Sequence, residues 1–152
     1  MLRILGLLLV SFVTGCASTS NIPVNNNTAT HMTAMQAIEK AANNPKHGVR
    51  GTFGLKVKAS GGKRKAIFLN SELDYRDPRS ITIAIFPNVV NKFIKLYGKS
   101  PDEYFKNKNI LVTGVAKKVK IALMCNGKWN KNEYYYQTHI GVGSVEQIKV
   151  VN

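Results

Sequence analysis

The amino-acid sequence predicts a mainly β domain, a five-stranded Greek-key barrel with a helix between its third and fourth strands, preceded by a short amino-terminal helix. Three observations predict it. From residue 49 onward, apolar residues recur with a period of two in short stretches separated by turn-forming residues. The stretch that opens at Pro87 has the helical period instead. The order along the chain is three strands, that helix and two further strands, joined by connections of uneven length, which is the layout of a small closed Greek-key sheet.

The chain opens with a segment that is not part of this domain. Arg3 is followed by Ile4-Leu5-Gly6-Leu7-Leu8-Leu9-Val10-Ser11-Phe12 and then by small residues up to Cys16. A charged start, an apolar run too short for an ordinary spanning helix and a small-residue cleavage site make a secretory leader over residues 1–15. Its last part, Val13-Thr14-Gly15-Cys16, resembles the lipobox of bacterial lipoproteins. The resemblance implies cleavage before Cys16, acylation (palmitate among the acyl groups) at that cysteine, and a lipid-anchored protein of the cell envelope. Ala17 stands where the inner-membrane retention signal of many enterobacterial lipoproteins has Asp, which implies the outer membrane, facing the periplasm, in a Gram-negative host. A plain secretory signal, or an uncleaved helix with an incidental cysteine, are the alternatives. Two or more acyl chains would anchor the protein stably where one holds it only marginally, at roughly 0.8 kcal/mol per buried methylene.

Residues 16–32 follow as the lipidated cysteine and a tether, rich in Ser, Thr and Asn and interrupted by Pro23. Residues 33–152 form the short helix plus the barrel domain. Thr30 or Thr33 caps the helix, which presents Met35, Ile38 and Ala42 on one face and ends before Pro45. In the first strand Val49, Gly51, Phe53, Leu55, Val57 and Ala59 point one way, and Arg50, Thr52, Gly54, Lys56 and Lys58 the other. Gly61-Gly62 is expected to turn the chain into a second strand at Ala66-Ile67-Phe68-Leu69. A polar loop, residues 70–80, leads to the alternating Ile81-Thr82-Ile83-Ala84-Ile85. Pro87-Asn88 opens an amphipathic helix with Val89, Val90, Phe93, Ile94 and Tyr97 on its apolar face, and Gly98 stops it. Pro101 to Phe105 is one more turn. Strand character resumes at Asn109 and runs through an expected bulge near Gly114 to Leu123. A loop is expected over residues 125–132, then a strand over 134–142, and a final strand-like stretch from Val145 to Val151.

Charge bounds the partners. The chain has 22 Lys+Arg against 8 Asp+Glu, a formal net charge of +14, which favours nucleic acid, anionic lipid or acidic glycans as partners and says nothing of the fold. With Cys16 consumed by lipid, Cys125 has no cysteine in the chain to pair with, so the fold must stand on its apolar core.

Lys106-Asn107-Lys108-Asn109-Ile110-Leu111-Val112-Thr113-Gly114 resembles the start of the fourth strand in many OB-fold domains. Leu69-Asn70-Ser71-Glu72-Leu73-Asp74-Tyr75-Arg76-Asp77-Pro78, followed by Ser80-Ile81-Thr82-Ile83, is similar to a stretch of a family of exported bacterial OB-fold domains related to the tRNA-anticodon-binding-like group. The resemblance covers residues 49–151. It implies a ligand lying across the second and third strands, between the loop joining strands one and two and the loop joining four and five. The first of these loops is Ser60-Gly61-Gly62-Lys63-Arg64-Lys65, the second Asn126-Gly127-Lys128-Trp129-Asn130-Lys131, and both are basic. Single-strand binders combine backbone-tracking cations with aromatic platforms, each base stack being worth roughly 1–3 kcal/mol. Lys63, Arg64, Lys65, Lys128 and Lys131 are therefore the expected phosphate contacts. Trp129 and an exposed tyrosine of Tyr134-Tyr135-Tyr136, taken as Tyr135, are the expected platforms. Alternation across a strand puts at least one of the three rings in the core.

No catalytic site is expected. Glu72, Asp74 and Asp77 are interleaved with Arg76 and Arg79, a pattern for local ion pairs and Asx turns rather than for a cation. His31, His47 and His139 have no zinc spacing. Gly141-Val142-Gly143 lacks the rest of a phosphate fingerprint, and the acidic and arginine pattern of the micrococcal-type nucleases, which share the fold, is not recognisable. The expected role is a binding module without a cofactor, its ligand single-stranded nucleic acid or another anionic polymer. The alternative is a structural or adaptor lipoprotein that meets protein partners in an envelope assembly of the secretion or conjugation type.

Overall fold

A computed structural model describes residues 31–63, 66–125 and 127–151, and for residues 63, 125, 128, 129 and 131 the backbone alone. The elements are β1 (Met32–Thr33), α1 (Ala34–Asn43), β2 (Val49–Lys56), β3 (Ala59–Lys63), β4 (Ala66–Asn70), β5 (Ile81–Ile85), α2 (Pro87–Tyr97), α3 (Pro101–Phe105), β6 (Asn109–Cys125), β7 (Lys128–Val142), a 3-10 turn (Val145–Gln147) and β8 (Ile148–Val151). The strands form one mixed sheet in the order β1-β2-β6-β7-β5-β4-β3, with β8 on β6. The fold is mainly β and OB-like.

Between β2 and β3 the chain changes partners. The Val57 N–H donates to the Lys108 carbonyl at 3.0 Å, on the β6 side, while the Lys58 N–H donates to the Asn70 carbonyl at 2.9 Å, on the β4 side. β2 thus runs antiparallel to β6, with Phe53 opposite Val112, and β3 antiparallel to β4. β4 and β5 are antiparallel, β6 and β7 are antiparallel, and β5 lies parallel to β7, with Ile83 beside Ile140.

The inner face follows the period of two. Phe53, Leu55 and Val57, then Leu69, then Ile81, Ile83 and Ile85, then Ile110 and Val112, then Ile140 and Val142 are all buried in one core. Val89, Val90 and Phe93 of α2 and Phe105 of α3 join it, the four-ring cluster of Phe93, Tyr97, Tyr104 and Phe105 having centroids 4.4–5.2 Å apart. Ile94 and Tyr97, expected on the buried face of α2, are exposed at its margin.

α1 has the expected cap. Thr33 Oγ1 accepts from the Gln36 N–H, and Gln36 Oε1 accepts from the Thr33 N–H, a reciprocal capping box worth about 1 kcal/mol. Its buried face differs from the expected one. Ala37 and Ala41 are fully buried with Ala34 and Ile38 packed beside them, whereas Met35 and Ala42 are exposed. Small side chains let the helix lie close against the sheet. Met32, assigned by composition to the tether, instead pairs with Phe53 in β1 and packs on the core.

Three connections differ from expectation. Gly61 and Gly62 are inside β3, opposite Phe68 and Ile67, and not in a turn; the pairing continues to Lys63 opposite Ala66. β6 passes Gly114 in regular register opposite Gly51, and the irregularity lies between Ala122 and Leu123. The expected loop over residues 125–132 is a tight hairpin. Cys125 pairs with Lys128, and Gly127 takes φ +75 in the two-residue connection. Glycine is the residue that such turns favour where φ is positive. The hairpin of β6 and β7 is consequently longer than the periodicity indicated. β8 adds the carboxyl-terminal strand to β6, Ile148 beside Val112.

Candidate functional site

The outward residues of β4, β5 and β7 form the floor of a groove of about 880 Å³. In β7, Ile140 and Val142 face the core, so Tyr135, Gln137 and His139 face the other way. Phe68 and Asn70 of β4 and Thr82 of β5 complete the floor. One wall is β3 from Ala59 to Gly62, the second is the loop carrying Leu73, Tyr75 and Arg76, and the third is the end of β6 from Ile121 to Met124. Around the position that a Cβ would take at Gly61, opposite Phe68, no atom lies within 4 Å. A side chain there would project into open space at the groove wall.

The polar floor is tied together across strands. Thr82 Oγ1 donates to Asn70 Oδ1 at 2.9 Å, and the Ile81 N–H donates to Ser71 Oγ at 2.8 Å, both buried. Gln137 Nε2 donates to the Tyr75 carbonyl at 2.6 Å and lies 3.5 Å from the Tyr135 hydroxyl, while Gln137 Oε1 meets His139 Nε2 at 2.6 Å. One glutamine side chain therefore joins the floor of β7 to the loop that carries Tyr75. Buried donors and acceptors left unpaired cost about 1–3 kcal/mol each, so this bridge fixes where the loop sits.

Burial pushes the His139 imidazolium's pKa below its ordinary range, leaving the ring neutral near pH 7. Burial, with the nearby Tyr75, pushes the Tyr135 hydroxyl upward. Among the described residues that line the groove, Arg76 is the cation. Its Nε donates to the Tyr75 hydroxyl at 3.1 Å and its guanidinium carbon lies 5.3 Å from the Tyr75 ring centroid.

The acidic residues of the loop are used locally. Asp74 Oδ1 accepts from the Arg76 N–H at 2.8 Å, an Asx turn. Asp77 accepts from the Arg79 side chain at 3.0 and 2.7 Å and from the Arg79 N–H at 2.9 Å, bonds that hold its carboxyl down to about 2. Lys58 Nζ lies 2.6 Å from Glu72 Oε2. Among the described residues, no group of three or more His, Cys, Asp or Glu is placed to hold a metal.

The sequence-predicted site residues distribute unevenly. Tyr135 lines the groove, half-buried, and Tyr134 and Tyr136 lie exposed on the opposite face of the hairpin, so none of the three rings is in the core. The expectation of a core tyrosine fails because β7 runs past the packed part of the sheet at this height, and its inward positions there meet solvent. Cys16, Arg64 and Lys65 lie outside the described residues, and Lys63, Lys128, Trp129 and Lys131 are described by their backbone alone. The backbone places Lys63 at the end of β3, and Lys128, Trp129 and Lys131 at the start of β7, where Trp129 pairs with Met124 of the third wall. The residues that sequence reasoning missed are Tyr75, Arg76, Gln137 and His139. The alternation through Tyr135 could have found the last two.

Among solved structures, the chain is similar to an aspartyl tRNA synthetase from Entamoeba histolytica, at 15% identity and a TM-score of 0.46, over 99% of this chain and 28% of that one. It is also similar to a chain described as an aspartyl-tRNA synthetase from Leishmania major Friedlin, at 13% identity and a TM-score of 0.45, over 86% and 22%. This chain spans less than a third of the length of either. The strand pairings define the fold. No family model matches the chain, and no curated protein does.

Proposed function

We propose that this chain is an outer-membrane lipoprotein, anchored through Cys16, whose OB-like domain binds single-stranded nucleic acid or a polyanion of the same chemistry in the groove over β4, β5 and β7. In this reading β2 and β3 are two halves of one bent strand, and the domain is a five-stranded Greek-key barrel with α2 between its third and fourth strands. The partner switch at Val57 and Lys58 supports that topology.

The observation that carries the binding role is the groove itself. Tyr75 and Tyr135 supply aromatic surface, Arg76 a cation beside it, and Asn70, Gln137 and His139 polar groups on the floor. Bases would stack on the rings and phosphates would run toward Arg76 and the basic ends of β3 and β7, each stack worth roughly 1–3 kcal/mol. The net charge of +14 would steer a polyanion toward any such surface. The role in this scheme is binding.

The test is a titration of the domain, begun at residue 21, with a fluorescent single-stranded oligonucleotide at two salt concentrations. Binding that weakens steeply with salt and drops on Tyr135→Ala supports the reading. Absence of binding at low salt refutes the nucleic-acid ligand.

One observation favours a second reading, an adaptor that takes a protein segment. Leu73 at 79% exposure and Met124 at 52% stand at the groove's mouth, where an apolar side chain of a peptide would meet them. Salt-insensitive capture of a defined envelope protein, lost on Leu73→Ser, would decide for it.

A further inference from the structure

The two faces of the β6–β7 hairpin are chemically different. One face lines the groove. On the other, Lys118 and Lys120 of β6 and Tyr134 and Tyr136 of β7 form a compact array. Lys120 Nζ lies 3.7 Å from the Tyr134 ring centroid and Lys118 Nζ 4.3 Å from that of Tyr136. The two rings meet edge to face with centroids 5.6 Å apart. Both stay open to solvent, Tyr134 at 44% and Tyr136 at 48%.

The arrangement is neither core nor a suitable base platform. One face of each ring is taken by an ammonium group of the same hairpin, and the two rings meet each other edge to face. What the array offers outward is aromatic rims with hydroxyls, flanked by two cations on flexible stems. Tyrosine and lysine in that combination suit the headgroup level of a bilayer, where the amphipathic ring sits at the interface and the ammonium meets anionic lipid. A nucleic acid would find the cations there but a stacking surface already shared with them.

We propose that this face of the hairpin rests on an anionic lipid surface, leaving the groove on the opposite face turned away from the membrane and open to its ligand. A surface lysine near anionic lipid gains roughly fivefold in occupancy, so the pair gains about 25–30-fold. That is weak for a protein free in solution and enough for one already held at the bilayer. The proposal rests on the anchored reading only in needing the chain to be at a membrane.

The test uses the full chain reconstituted in nanodiscs that contain a paramagnetic headgroup lipid, in anionic phosphatidylglycerol or in zwitterionic phosphatidylcholine. Whether acyl groups or the uncleaved leader hold the amino end does not matter to it, and the mass of the amino-terminal peptide reports anchoring separately. The ring NMR signals of Tyr134 and Tyr136 are compared with those of Tyr75 and Tyr135, which line the groove. In anionic discs the first pair should broaden several-fold more than the second. In zwitterionic discs the difference should vanish, as it should for K118Q/K120Q in anionic discs. Equal broadening of both pairs in anionic discs overturns the proposal, as does a difference that survives K118Q/K120Q. Loss of oligonucleotide binding by K118Q/K120Q with broadening unchanged overturns it too, and gives the face to nucleic acid.

Discussion

Replacing Gln137 with leucine removes the bridge between β7 and the loop that carries Tyr75, and its cost can be worked from two contacts. The amide donates to the Tyr75 carbonyl and meets His139 Nε2, each at 2.6 Å. A net hydrogen bond contributes about 1 kcal/mol, and what leucine gains by burial is offset by the Tyr75 carbonyl and His139 Nε2 that it leaves unpaired. The expected loss of stability is about 2 kcal/mol, read as a lower denaturant midpoint with unchanged slope, or as a melting temperature roughly 6–10 °C lower. Ligand binding should fall as well. With the loop released, Tyr75 is no longer held beside the groove, and the loss should approach that of Tyr75→Ala, one stack or about 1–3 kcal/mol. Urea unfolding and oligonucleotide titration of the same preparation measure both. A variant as stable as the parent would refute the bridge. A variant that loses stability yet binds with undiminished affinity would refute the placing of Tyr75 in the site.

Other outcomes follow from the same geometry. Tyr135→Ala should weaken oligonucleotide binding about 5–150-fold, corresponding to one stack, with little change in the salt slope, whereas Arg76→Gln should lower the slope by about one; fluorescence titration over a salt series separates them. His139 is buried with its pKa lowered from 6.5, so the unfolded chain takes up its proton first as pH falls. Its share of stability is therefore full above about pH 6.5 and declines as the pH drops from there toward the folded value, and His139→Gln should flatten that part of a stability–pH curve. Gly48 and Gly98 have φ of +72 and +68, but a Cβ at Gly48 would collide with the Ala116 carbonyl oxygen while one at Gly98 would meet nothing within 4 Å. Alanine at Gly98 should cost about 1 kcal/mol, the left-handed penalty alone, and alanine at Gly48 at least about 2 kcal/mol more, by denaturation. Equal costs would show that the Ala116 backbone yields.

The inner face of the sheet was legible because burial repeats with the strand period, so Phe53, Leu55 and Val57, or Ile81, Ile83 and Ile85, declare themselves without partners. The cap at Thr33 and the stop at Gly98 were legible because they are local chemistry. The groove was not, because it is made by contacts between distant segments. Nothing in the sequence around Gln137 indicates that its amide will meet the carbonyl of Tyr75, or that Thr82 will find Asn70. Periodicity showed which face of β7 carries Tyr135, but not which strand or loop lies across from it. A glycine pair is a turn signal, while here Gly61 and Gly62 occupy a strand, paired with Phe68 and Ile67. Asn126-Gly127 is the converse case, a turn signal inside a polar stretch that reads as a longer loop, where Cys125 pairs with Lys128.

The hairpin of β6 and β7, closed by that two-residue turn, also bears on the order in which the chain folds. Its pairs, from Cys125 with Lys128 outward to Ala116 with Ile140, can zip from the turn without waiting for anything else, an event of the order of 1–10 μs. The parallel seam between β5 and β7 is the reverse case, since Ile81 must find Thr138 across the whole of α2, α3 and β6. Loop-closure entropy delays that step, and with it the completion of the core. In the interval the inward edge of β7 from Thr138 to Val142 is unpaired on one side, with Ile140 and Val142 uncovered. A mutation that slows the β5 seam without touching the hairpin should lengthen that interval, and the cost would be seen as aggregation during refolding rather than as a change in the final stability.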